Sequence, residues 1–255
     1  MRISLLAIGV SFAFLVLNVL ILLVVLAMNR RTGPRSDQAR PPEKKDAAWD
    51  RLDPNVVLSC EFEYARISAS ESMEQRHTMV NFYLLAAGVM ASGAVVVLAQ
   101  GQSIPGALAT LLLWALCSVG WLHFLSIIRL RQAWHDSARA MNCIKEFYIQ
   151  HAQDLNGEVL RDAFRWQAHT LPRPDKPWTV FFYSAMVVSL LNSAAYVLGG
   201  VLLGMPDAKL VPPLLLGILL VFGVVFFAFH AWLYFAFLKL PPCAEPKDRV
   251  SGGNE

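Results

Sequence analysis

Residues 79–99 read MVNFYLLAAGVMASGAVVVLA, an apolar run without a single Asp, Glu, Lys or Arg. The hydrocarbon core of a bilayer is about 30 Å thick and is crossed by about 20 helical residues rising about 1.5 Å each. In lipid the backbone must satisfy its own hydrogen bonds, so a run of this kind forms a helix. Residues 4–28, 105–128, 178–203 and 211–238 meet the same test and also lack those four residue types. A soluble core would break such runs with a polar position every few residues. The spacing therefore predicts an all-α integral membrane bundle of five spans.

The basic residues give an orientation. Of 22 Lys and Arg, nine fall in 29–77, eight in 129–177 and three in 239–255. Connections 100–104 and 204–210 are short and hold only Lys209. Lys and Arg are retained on the cytoplasmic side, so the rich segments are expected inside and the short connections outside. This places the N-terminus outside and the C-terminus in the cytoplasm, in a cell (inner) membrane. The first run, about 25 residues long, exceeds the 7–15 of a signal-peptide core and is expected to stay as an anchor.

Working outward from residue 79, the chain divides into an anchor (1–28), a proline-bearing polar linker (29–54), a helical hairpin (55–157), a connector (158–177), a second membrane hairpin (178–238) and a polar tail (239–255). Asp53-Pro54 supplies an N-cap and a first helical position. No breaker follows, so a single helix is expected to run from the cytoplasm into the second span. Leu58, Phe62, Ala65, Ala69 and Met73 recur on one face, and Ala65, Ala69 and Ser72 offer a small-residue line for close helix approach. The third span continues without Pro or Gly to Asn156. Its stripe is Ile127, Leu130, Trp134, Ala138, Met141, Ile144 and Tyr148. Arg131, His135, Arg139, Asn142 and Glu146 lie largely off it.

The five-residue connection starts both extensions at neighbouring points, so they are expected to pair as an antiparallel cytoplasmic extension of spans two and three. The alternative is a helix lying flat on the membrane. Gly157 is placed at the helix end and a short helix over 158–169. Pro172, Pro174 and Pro177 predict an extended approach to the fourth span. Gly88, Gly93, Gly199, Gly200 and Gly204 mark close helix packing, within one copy or in a homo-oligomer.

Chemistry is scarce. Cys60, Cys117, Cys143 and Cys243 form no metal-ligand pair by spacing. The six histidines give no HExxH, and no phosphate loop or nucleophile elbow occurs. Ser118 and His123 stand five apart, which does not stack them on one helix face. The pattern offers no enzyme, cofactor or metal site, and no basic array for nucleic acid. Arg30–Arg40 suits anionic lipid headgroups instead. The polar candidates inside the spans are Asn18, Asn81, Asn192 and His230, expected mainly as bonds between helices. Glu63, Arg66, Arg76, Arg131 and Arg139 are candidates for a polar face of the helix pair.

Three stretches carry a resemblance. Phe62-Glu63-Tyr64 through Asn81-Phe82-Tyr83-Leu84, Trp134 through Ile144-Lys145-Glu146-Phe147-Tyr148, and Phe164-Arg165-Trp166 with Lys176-Pro177-Trp178 together resemble uncharacterised bacterial multi-span membrane proteins. The layout of 56–155 is also similar to SLATT-type membrane effectors, although this chain adds one span before and two after. That resemblance implies a membrane effector, with pore formation as one route. The expected function is a non-enzymatic sensor, scaffold or pore-forming effector acting through the helix pair on a cytoplasmic protein partner. The alternative is a passive transporter or lipid-handling protein.

Overall fold

The computed structural model describes residues 9, 10, 12, 13, 16, 54–99, 105–151, 173–203 and 212–239. It contains four long helices: α1 (Pro54–Ala99), α2 (Pro105–His151), α3 (Val180–Leu203) and α4 (Pro213–Leu238). No strand occurs among the described residues. All four helices are long and apolar enough to cross a bilayer. The expected first span lies outside the described residues except for positions 9, 10, 12, 13 and 16, which are helical. Of these, Phe12 places its ring 6.5 Å from that of Phe222 on α4. Residues 29–53 of the linker, the connector helix over 158–169, and Gly157 also lie outside the described residues.

Local chemistry explains the helix starts. α1, α2 and α4 each begin on a proline, whose fixed φ suits the first turn and whose missing N–H has no helical partner there. α3 begins differently: the Thr179 hydroxyl accepts the backbone N–H of Phe182 at 3.2 Å, an N-cap arrangement.

α1 and α2, of 46 and 47 residues, are about 70 Å long at about 1.5 Å per residue. They pack along most of that length. Gly93 lies against Leu112, and the Tyr83 ring stands 5.4 Å from His123. Further on, Ser137 donates to Ser68 at 3.1 Å and the Lys145 ammonium sits 5.9 Å from the Phe62 ring. Each step toward the start of α1 is matched by a step toward the end of α2. α2 is the central helix, with α1, α3 and α4 all against it.

The core combines Tyr83, Leu116, Trp121, Phe124, Ile127, Tyr196, Phe226 and Leu233. Large apolar side chains also face outward. Phe82, Leu85, Val89, Leu190, Leu214, Val221 and Val224 are all more than half exposed. A soluble monomer rarely leaves so continuous an apolar surface uncovered; hydrocarbon is its natural solvent.

Two expectations need adjustment. The buried arc of α2 beyond residue 128 keeps Ala138 of the apolar stripe but is otherwise rotated from it. Leu130, Trp134, Met141, Ile144 and Tyr148 are only half-buried, whereas Arg131, His135 and Asn142 are 3%, 8% and 3% exposed. The small line Ala65, Ala69 and Ser72 on α1 is buried as expected. The approach to α3 is also turned, not extended: the Lys176 N–H reaches the Arg173 carbonyl at 3.1 Å. Pro174 occupies the second turn position, where its fixed φ is favoured.

Candidate functional site

Polar groups of this fold occur at three levels. The first is the outlying part of the α1–α2 pair. Glu63 accepts two bonds from Arg66, at 2.8 and 2.6 Å, one helical turn away on the same exposed surface. The bonds from Arg66 hold the Glu63 carboxyl below its ordinary range. Arg139 is exposed. These three residues of the proposed pair face therefore do not bridge the helices.

The second level lies just beyond the apolar runs. Arg76 stands three residues before residue 79 and Arg131 three after residue 128. Both are 3% exposed. Phe181, in the first turn of α3, is shared between them. The Arg76 guanidinium carbon lies 5.3 Å from its ring centroid and that of Arg131 lies 5.6 Å away. Arg131 also sits 4.7 Å from the Trp134 ring. Such cation–π contacts are attractive and strengthen when water is excluded.

Arg76 donates to Ser184 at 3.2 Å and pairs with His77 Nε2 at 2.6 Å. Arginine has only donors, so His77 accepts with its proton on Nδ1. Arg131 donates to the carbonyls of Pro174 at 3.3 Å and Arg173 at 3.4 Å, both presented by the 173–176 turn. Among the described residues neither arginine forms an ion pair. The Arg76 Nε and His135 Nδ1 are buried without a hydrogen-bond partner. Burial lowers the pKa of both guanidiniums. Burial, then the Arg131 and Arg139 charges, hold His135 below its usual 6.5, with Asp136 opposing.

The third level is inside the bundle. The Tyr83 hydroxyl donates to Asn192 Oδ1 at 2.6 Å. The Cys117 thiol points at the Asn192 carbonyl at 3.2 Å. Asn192 fits only because residue 120 is glycine: a Cβ there would overlap its side-chain amide. His230 places Nδ1 2.8 Å from the Phe226 carbonyl, one turn back on its own helix. Its ring stacks on Trp121 at 4.1 Å. The Thr110 hydroxyl shares its proton between the Gly106 carbonyl at 2.9 Å and the Gly199 carbonyl at 3.1 Å, and Gly199 has no Cβ to meet Trp114.

Of the intramembrane candidates, Asn192 and His230 are buried and committed to these contacts, Asn81 is exposed, and Asn18 lies outside the described residues. Gly120, Tyr83 and Phe181 are the participants the sequence reading missed. The equal offset of Arg76 and Arg131 from their apolar runs is the signal that could have flagged the boundary pair.

No group of three or more His, Cys, Asp or Glu side chains capable of holding a metal occurs among the described residues. An apolar groove of about 500 Å³ runs between α3 and α4, lined by residues including Ser193, Val197, Leu220, Gly223 and Phe227. No protein-family model, curated protein or solved structure matches the chain.

Proposed function

We propose that this is a non-enzymatic, multi-span protein of the inner membrane whose α1–α2 extension is a cytoplasmic antiparallel pair serving as a sensor or scaffold for a protein partner. The N-terminus lies outside and the C-terminus inside. The observation that carries the reading is length: α1 and α2 are each about twice what a bilayer needs. Their contacts continue outward to Ser68–Ser137 and Phe62–Lys145, where no apolar run remains. The polar groups buried at bilayer depth, Asn192 and His230, are spent on contacts within the bundle, which favours a scaffold over a pore within one copy. An effector that conducts would need several copies to supply a polar lining.

The test pairs topology with proximity. Reporters fused after Glu255 are expected to be active only in the cytosol. A Ser68→Cys/Ser137→Cys protein lacking Cys60 and Cys143 is expected to form an intramolecular disulfide in inverted vesicles exposed to a membrane-impermeant oxidant. Periplasmic reporter activity, or protection of the pair from that oxidant, would refute the placement. Lipid handling is the second reading, favoured by the groove between α3 and α4. A photoreactive lipid that labels Val197 or Gly223 selectively would support it.

A further inference from the structure

We propose that Arg76 and Arg131 form a binding site for a phosphate group at the inner edge of the helix bundle. Two guanidiniums from different helices converge on one ring, Phe181, and both are almost wholly buried. No carboxylate among the described residues neutralises either of them. Asp175 adjoins the Pro174 carbonyl that Arg131 uses, yet it forms no ion pair with Arg131. Burying a charge without an opposite charge is costly, and removing one partner of a buried pair is strongly destabilising. A bound anion would supply the missing partner.

The donors suit phosphate in particular. Guanidinium is a planar fork that matches phosphate oxygens with two parallel bonds. Arg76 Nε, one tooth of that fork, is buried and free of any partner. Ser184 donates its own proton to the Val180 carbonyl at 2.8 Å, so it meets Arg76 as an acceptor; with His77 on the Arg76 NH2 group and the turn carbonyls on Arg131, Arg76 Nε is the buried donor left open. The Tyr234 hydroxyl is also buried without a hydrogen-bond partner.

Position narrows the source to two. Both arginines sit one turn beyond their apolar runs, the depth of the phosphodiester of an inner-leaflet lipid. The same chemistry would accept a soluble phosphate compound from the cytosol. The lipid source rests on the membrane placement proposed above; the soluble source does not, so failure of the topology test leaves the arginine site still to be judged by its own result.

The full chain, purified in an uncharged detergent, is titrated with phosphatidylglycerol, with diacylglycerol carrying the same tails, and with inorganic phosphate. Thermal unfolding and native mass spectrometry are read. Phosphatidylglycerol is expected to be retained and to raise the Tm, while diacylglycerol does neither. A rise with inorganic phosphate instead assigns the soluble source. Arg76→Gln and Arg131→Gln are each expected to weaken phosphatidylglycerol binding by about tenfold, the loss of one charge-assisted bond. Arg139→Gln, an exposed arginine one helical stretch away, is expected to leave it unchanged.

Should a Gln variant fail to fold, phosphorus NMR of the native chain replaces it. A retained, immobilised phosphate resonance supports the site, and freely tumbling phosphate alone overturns it. The proposal also fails if phosphatidylglycerol and diacylglycerol act alike with inorganic phosphate inert, or if Arg139→Gln weakens binding as much as Arg76→Gln.

Discussion

Tyr83 and Asn192, 109 positions apart in sequence, are joined by a buried 2.6 Å hydrogen bond from phenol to amide oxygen. The bond ties α1 to α3 across the flank of α2, at the one place where Gly120 leaves room for the amide. Tyr83→Phe removes the donor and is expected to lower stability by about 1 kcal/mol, the usual size for a polar bond between membrane helices. Unfolding of the purified protein in mixed micelles measures it.

Gly120→Ala acts on the same amide from the other side. Its new methyl group occupies the Asn192 side chain's position, so either the amide or α3 must move. Overpacking of this kind costs about 1–3 kcal/mol. In the double variant Gly120→Ala/Tyr83→Phe the losses are expected to be less than additive, because the first change has already displaced the acceptor.

Gly199→Ala brings a methyl group to 2.6 Å of Trp114 Nε1, while Gly88→Ala meets nothing within 4 Å. The first is expected to lower Tm and the second to leave it unchanged or raise it slightly, since alanine is the better helix former. Parallel thermal scans of the two variants separate a packing glycine from an incidental one.

His135 gives a pH signature. Its folded pKa is held below 6.5 by burial and by Arg131 and Arg139, against Asp136. The unfolded chain therefore binds the proton more readily, and the contribution of neutral His135 is complete above about 6.5 and lost as pH falls through its folded value. The difference in Tm between the native chain and His135→Gln is expected to shrink between pH 7.5 and 5. A pH-independent difference would refute this.

Arg66→Ala is expected to produce no measurable change in Tm. Its bonds to Glu63 lie within one exposed helical turn, where solvent screening and side-chain entropy offset the attraction.

The helical class and the second to fifth apolar runs were legible because hydrocarbon imposes a single requirement, length without charge, that composition displays directly. Pro54 likewise announced the start of α1. The face that α2 buries beyond the bilayer was not legible. Periodicity assigns burial to apolar residues, yet here Phe181, Trp134 and the turn at Arg173–Lys176 jointly enclose Arg131. Such enclosure depends on residues more than 40 positions distant in sequence. The part played by Gly120 was hidden for the same reason: a glycine amid an apolar helix signals nothing until the side chain it accommodates is known. The prolines before α3 predicted an extended approach and did not reveal that Pro174 sits in a turn.

α2 runs unbroken from Pro105 to His151, with Gly120 braced by Asn192 and no proline within it to act as a joint. It behaves as a stiff axle. In the proposed placement, a partner that tilts the distal end near Lys145 would swing the far end near Thr110 in the opposite sense. In the membrane placement proposed above, docking on one side would thereby be felt mechanically on the other.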